Sequence, residues 1–371
     1  MTDVTAAPVA ASGASSATAR LLAEASRAVD APDLVLAVSR GGVRTVHTGG
    51  SADPVPAPAA PGGSAAPAPA PVARELLRYE LGSASKPFAG LLLARLVAQG
   101  RVRYEDRAAD LLAPGLPVHP SVRRITLRHL LTHTSGLPGL PADFYPQAVP
   151  RWSTDPYGSY PADRVVRAFL RARPRHRPGA RWHYSNFAVS VLGHTLAAAT
   201  GTPWEVLLHQ QVLAPLGLAA TLLRPGPEGS AATGHRRDGT PLPAMDTGGF
   251  TAAGAVRSTP LDLLTFLEAH LGAAGASDSP LDPTLTAALA EVRRPLLRRG
   301  WRHAHTHTLT WFQHSSPYGP VLFHAGATLG QQAFLGFRPE TGLAVAATAT
   351  RRVHLKDTFV ATAYGLLTET P

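Results

Sequence analysis

Apolar residues recur along this chain with two periods. Residues 19–30 (ARLLAEASRAVD) carry the three-to-four spacing of an amphipathic helix. DLVLAVSR and VRTVHTGG follow, two short apolar runs on either side of Arg40-Gly41-Gly42, and read as a β-hairpin. RELLRYELG reads as a short strand leading into an apolar helix from Ser83 to about Gln99. Gly100 stops that helix, and Pro87 sits in its first turn, where the missing N–H costs little. Residues 105–240 are helical in pattern and rich in proline, with the best helices at Arg164 to Arg173, Phe187 to Thr200 and Pro203 to Val212. Residues 252–271 hold another helix that begins near Ser258-Thr259-Pro260, with Ser258 as a candidate cap. The pattern then changes to alternation. HTLTWFQ, GPVLFHAG, QQAFLGFRP and GLAVAATAT read as three or four antiparallel strands, and residues 357–368 close the chain as a helix.

Strands at both ends with helices between predict an α+β fold. An antiparallel sheet formed from both chain ends is flanked by helices, and a mostly helical lobe is inserted in the middle. On this reading residues 19–110 and 245–371 make the α/β lobe and residues 111–244 the helical lobe of one unit, after a disordered N-terminus over 1–18. The segment 51–73 is almost wholly Ala, Pro, Gly and Ser and reads as a surface loop, because such a composition buries no core. It does not divide two domains, since the hairpin before it is too small to stand alone.

Composition narrows the function classes. With 44% hydrophobic residues among 371 the chain is globular, and with no cysteine it has neither disulfides nor thiolate metal sites. The net charge of +10 invites a nucleic-acid or membrane reading. Yet only Lys86 and Lys356 among the 35 basic residues are lysines, and the arginines are scattered. The densest groups, Arg171 to Arg177 and Arg293 to Arg302, lack aromatic interleaving apart from Trp301 and read as solvated basic surface. No run of ~18 apolar residues is present, so no membrane span is expected. The N-terminus lacks a basic start followed by an apolar run, so a cytoplasmic protein is expected.

Three short motifs carry candidate chemistry. In Ser83-Ala84-Ser85-Lys86, residues i and i+3 share a helix face, so Lys86 can reach the Ser83 hydroxyl and act as the base it needs. Burial and a helix N-terminus both disfavour a cation there, which lowers the lysine's pKa toward neutrality. The plainer alternative is a helix cap with an exposed lysine. Tyr184-Ser185-Asn186 falls in a turn before an apolar helix. Its phenol can ionise or relay a proton and its amide can hold a carbonyl, unless Asn186 merely caps the helix. His324-Ala325-Gly326 lies on the strand GPVLFHAG, where a glycine lets a ligand approach the backbone, unless the triplet only ends a strand.

Ser-x-x-Lys, Tyr-x-Asn about 100 residues on, and a His-x-Gly triplet about 140 residues after that together resemble the serine β-lactamase and penicillin-binding protein superfamily. The wording between them resembles its class C β-lactamase-like branch of esterases, D-amino-acid peptidases and transacylases. Ile125 to Pro138 (ITLRHLLTHTSGLP) is similar to the Leu-Leu-x-His-Thr-Ser-Gly signature, Pro203 to Thr221 to the branch's Pro-Leu-Gly helix end, and Ala253 to Thr259 to its short strand. Carried over by position, the resemblance implies that Ser83 is acylated, that Lys86 takes its proton, and that Tyr184 shuttles protons to the leaving group and later to the acceptor. It implies that Asn186 orients substrate, that His324 and Gly326 form the third motif, and that the oxyanion lies between the N–H groups of Ser83 and Ala327. His133 belongs to the signature and is expected to be structural.

His324 departs from the lysine that would meet a penicillin carboxylate, and a histidine is neutral or weakly charged near pH 7. This points away from β-lactams. Two functions are therefore expected. One is a serine hydrolase of small-molecule esters or amides. The other is a transacylase of small-molecule biosynthesis that gives the same acyl group to an amine or alcohol. A non-catalytic binder would not keep Ser83, Lys86 and Tyr184 together. No cofactor or metal is expected. His303, His305 and His307 alternate on one strand face, as a zinc site would, but read as surface or cleft-lining residues. Trp301 and Trp311 fit cleft wall and core equally well.

Overall fold

The Gly41-Gly42 turn begins the sheet. Both glycines take positive φ, 55° and 87°, as a tight two-residue hairpin turn requires. They join β1 (Leu34–Arg40) to β2 (Val43–Gly49), paired from Leu34 opposite Gly49 to Arg40 opposite Val43. The computed structural model describes residues 9–52, 71–272, 280–300 and 305–369. The remaining strands all come from the C-terminal third: β3 (Leu297–Arg299), β4 (His305–His307), β5 (Phe312–Ser316), β6 (Gly319–Ala327), β7 (Gln332–Arg338) and β8 (Leu343–Ala349). All eight form one antiparallel sheet in the order β2-β1-β8-β7-β6-β5-β4-β3. The two ends of the chain meet one strand in from an edge of the sheet, where Leu34 of β1 lies opposite Ala349 of β8.

Helices cover both faces, which explains why β8 is apolar throughout instead of alternating. Leu343, Val345 and Ala347 share one core with Leu22 of α1 (Val9–Ser26) and with Phe359 and Leu367 of α5 (Phe359–Glu369). Ala344 and Ala346, on the other face, join the larger core of the helical side. Its centre is α2 (Lys86–Ala98), apolar all round and buried from Lys86 to Leu96. Phe88 of α2 stacks on Phe266 of α4 (Pro260–Leu271) at 4.0 Å between ring centroids. The apolar α3 (Asn186–Thr200) lies in the same core. Among the described residues no helix is long and apolar enough to cross a membrane.

The predicted plan of terminal strands around a helical middle holds, with local corrections. The first helix starts at Val9, inside the segment expected to be disordered. RELLRYELG is no continuous strand. It forms a 3-10 turn (Arg74–Leu76) and a two-residue strand (Tyr79–Glu80) paired with Arg257–Ser258. Thr259, not Ser258, caps α4 by accepting the Asp262 N–H at 3.2 Å; the Ser258 hydroxyl is engaged by Thr221. The helix expected over Pro203 to Val212 is an α-helix (Trp204–Leu208) that widens into a π turn (His209–Leu213). The sheet gains strands that no pattern announced because β3 and β4 have only three residues each. Most of the predicted 51–73 loop lies outside the described residues.

Candidate active site

Ser83 stands on a 3-10 turn (Gly82–Ser85) just ahead of α2, rather than on α2 itself. Backbone bonds anchor the turn on both sides, Leu81 N–H to Val256 O at 2.9 Å and Ala84 N–H to Leu81 O at 3.0 Å. Ser85 is spent on structure, its hydroxyl accepting the Val256 N–H at 3.1 Å. Ser83 is half-buried between buried neighbours and faces open space. Two glycines bring this turn against β6. A Cβ on Gly82, which has a φ of +50°, would stand 2.3 Å from Ala327 O, and one on Gly326 would stand 2.0 Å from Leu81 O and 2.8 Å from Ser83 N. Neither fits a side chain, so backbone touches backbone there.

Lys86 is 1% exposed, which excludes the exposed-lysine alternative. Its Nζ lies 3.0 Å from Ser83 Oγ and 3.0 Å from Ala253 O. Among the described residues no carboxylate pairs with it, and burial alone lowers its pKa to about 7. Near neutrality much of it is therefore free amine. Nζ donates to the Ala253 carbonyl and to the Ser83 hydroxyl, which holds the amine beside Oγ.

Tyr184 completes this corner. Its hydroxyl meets Ser83, and the Lys86 ammonium position is 4.9 Å from its ring centroid. Burial raises the phenol to about 12, with the Ser83 contact pulling the other way, so Tyr184 keeps its proton near pH 7. His133 sets its position. It is the one non-glycine with positive φ (59°) among the described residues. Its ring lies 4.5 Å from that of Tyr184, and its Nδ1 accepts the Ser185 N–H at 3.2 Å. Burial, then the nearby Lys86, hold His133 well below its usual pKa, so it stays neutral and able to accept. The expected structural role of His133 thus has a definite content.

Ser185, not Asn186, caps α3, its Oγ accepting the Ala188 N–H at 2.9 Å while donating to Pro138 O at 2.6 Å. This frees the Asn186 amide, which meets the Tyr157 hydroxyl. Its Oδ1 is buried without a partner among the described residues, and Asn186 lines a cavity of about 220 Å³ together with Ser83. Trp152, Tyr157, Phe250 and Met245 form much of the wall of that cavity, and Ala327 reaches it from β6. Sequence reasoning missed these wall residues and the Ala253 carbonyl. They come from turns without periodicity, and only the Ala253–Thr259 motif hinted at one of them.

His324 is 2% exposed, with Nδ1 2.8 Å from Ala325 O. Burial and then Lys86 drive its pKa down to about 3, so it is neutral at pH 7, as expected. It lines a second cavity of about 500 Å³ on the far side of Ser83, with Tyr184, Gln332, His354 and Asp357. The Ala327 N–H faces away from β7. N–H groups alternate along a strand, and that of Thr328 is already bonded to Gln331 O on the β7 side.

The histidines and tryptophans resolve differently. His303 and Trp301 lie outside the described residues. His305 is exposed with Nδ1 3.2 Å from His314 Nε2. His307 corrects the surface or cleft expectation: it is buried, its Nε2 accepts from Arg299 Nε at 2.6 Å, and it packs on Trp182. Trp311 is fully buried in the core.

A serine turn wedged between the end of strand β6 and the helical side, with a lysine beneath it, defines a recognisable class, and the chain belongs to the Beta-lactamase family, whose model matches residues 18–369. Among curated relatives, a beta-lactamase from Pseudomonas fluorescens is 28% identical over 216 residues, which is 56% of this chain. The match spans only about half of that relative's own length, 54%. Penicillin-binding protein 4 from Amycolatopsis lactamdurans is 27% identical over 288 residues, 72% of this chain and 71% of that protein. A class C beta lactamase from Rhodobacter sphaeroides superposes with a TM-score of 0.73 over 95% of this chain and 98% of its own, at 22% identity, and thus shares the fold.

Proposed function

We propose that the protein is a serine acyl-enzyme hydrolase of a small-molecule ester or amide, with Ser83 as nucleophile. The observation that carries this reading is the contact of the Ser83 hydroxyl with a buried lysine that has no counter-ion among the described residues. The neutral Lys86 amine takes the hydroxyl proton as Ser83 Oγ attacks the substrate carbonyl. The carbonyl oxygen becomes an oxyanion in reach of the Ser83 and Ala327 N–H groups. As the intermediate collapses, the proton returns from Lys86 through the protonated Tyr184 phenol to the leaving group, and acyl-Ser83 remains. Water then attacks, giving its proton back along the same relay. Asn186 Oδ1, with no partner of its own, accepts an N–H of the acyl portion in the apolar cavity. His324 brings no cation to the third motif, which supports esters and amides without a carboxylate beside the scissile bond.

A second reading, transfer of the acyl group to an amine or alcohol, draws support from the separate cavity beside His324 and Asp357. It offers an acceptor a place apart from the acyl group. Intact-mass spectrometry against a panel of aryl esters and amides tests both readings. The expected result is a covalent adduct on the native protein and none on Ser83→Ala, with nitrocefin turned over slowly or not at all. Adduct formation by Ser83→Ala would overturn the assignment, and an amide product on adding amines would select the second reading.

A further inference from the structure

The sequence places Arg171, Arg173 and Arg175 on alternate positions of a proline-bearing loop, where a solvated surface is the plain expectation. All three are exposed, as expected, and the structure also sets them along the wall of one cleft of about 1150 Å³, the larger neighbour of the cavities at Ser83. Tyr184 borders this cleft too, so it begins where the Ser83 site ends. Arg164 and Arg167 also line it, but each is committed, Arg164 to Asp143 at 3.0 Å and Arg167 to Asp163. Among the described residues no ion pair engages Arg171, Arg173 or Arg175.

The loop that carries them is held in place. Arg175 N–H bonds to Gly136 O, Gly179 N–H to Thr134 O and His183 N–H to His133 O, each at 2.8 Å. The arginine loop is thus stitched along the segment that positions Tyr184. Opposite the guanidinium groups, Leu140, Pro141 and Phe187 supply an apolar wall. The cleft is at the upper end of the size of small-molecule sites.

We propose that this cleft is a binding site for a phosphate-bearing small molecule with an apolar portion. Three guanidinium groups on one cleft wall, none in an ion pair among the described residues, match an anion of more than one charge better than a single carboxylate. The flat guanidinium fork also matches phosphate oxygens in pairs of hydrogen bonds. A concave, partly apolar cleft suits a small molecule better than a flat polyanion. The site stands on its own geometry and does not depend on the reading of Ser83.

Calorimetric titration of the full chain with sodium pyrophosphate, at fixed ionic strength, tests it. The variant Arg171→Ala/Arg173→Ala/Arg175→Ala is compared with Arg236→Ala/Arg237→Ala/Arg352→Ala, which removes the same charge from another arginine-lined cleft. Saturable one-site binding by the native protein is expected, weakened at least tenfold in the first variant and less than twofold in the second. Should the first variant fail to fold, Arg173→Gln alone is expected to weaken binding about threefold. Absence of saturable binding by the native protein, or equal weakening in both triple variants, would overturn the proposal.

Discussion

Two buried cations lie at opposite ends of one small backbone ladder. The segments around residues 80–86 and 253–257 run side by side, joined by the Leu81 N–H to Val256 O bond. At one end Lys86, 1% exposed, bonds a hydroxyl and a carbonyl and meets no carboxylate among the described residues. At the other, Arg257, 4% exposed, meets Glu80 at 3.2 Å and also donates to the Leu223 and Met245 carbonyls. Burial is equal, and the counter-ion makes the difference. The arginine cannot shed its proton and has been given a carboxylate; the lysine can shed its own and has been given none. The arginine's arrangement holds the ladder together, while the lysine's leaves an amine that gives up its proton near pH 7.

Removing the base gives the largest expected effect. Lys86→Met should lower kcat/KM on an ester by ~10²- to 10⁴-fold, and in the native protein kcat/KM should climb with pH through about 7 as Lys86 gives up its proton. A flat profile between pH 6 and 8 would show that Lys86 is not the base. The same substitution should stabilise the fold. The folded pKa lies below the unfolded value, so the unfolded chain binds the proton more tightly. The native protein carries the full penalty below about pH 7 and sheds it as pH rises toward the ordinary lysine value of 10.5. Urea denaturation should therefore show the gain from Lys86→Met at pH 6 and little of it at pH 10.

Next in size is Glu80→Gln. It strands a buried guanidinium and takes a carboxylate from the Met245 N–H, for a loss of about 3–5 kcal/mol in thermal or urea unfolding. A loss under ~1 kcal/mol would mean that water or other carbonyls already satisfy Arg257. At the small end, Arg103→Ala removes an exposed pair with Asp106 and should change stability by ~0–1 kcal/mol. A larger change there would make exposure a poor guide to which ion pairs matter in this protein.

The comparison also explains what could be read from the sequence. Ser83 and Lys86 lie one turn apart, so their meeting is a local property, and the apolar run after them announced a buried helix. The Glu80–Arg257 pair joins residues far apart in the chain through strands of two residues, which leave no periodic trace. The Tyr184-Ser185-Asn186 turn was legible as a motif but not in its division of labour. Which side chain caps α3 depends on backbone angles at Ser185 that His133 helps to fix from another loop. The arginines of 171–175 were visible as charge. That they share a cleft depends on backbone bonds to Gly136 and its neighbours.

The fit of Gly82 against Ala327 and of Gly326 against Leu81 has a consequence for how the protein comes into being. The turn that carries Ser83 precedes in the chain both the strand it leans on, β6, and β8, which links that strand's sheet to the N-terminal hairpin. A chain emerging from the ribosome therefore carries a finished helix and a serine with no partner strand. Contacts so distant in sequence close late and slowly. Reactivity at Ser83 should therefore depend on β6 having docked against the turn, and not on the formation of α2 alone.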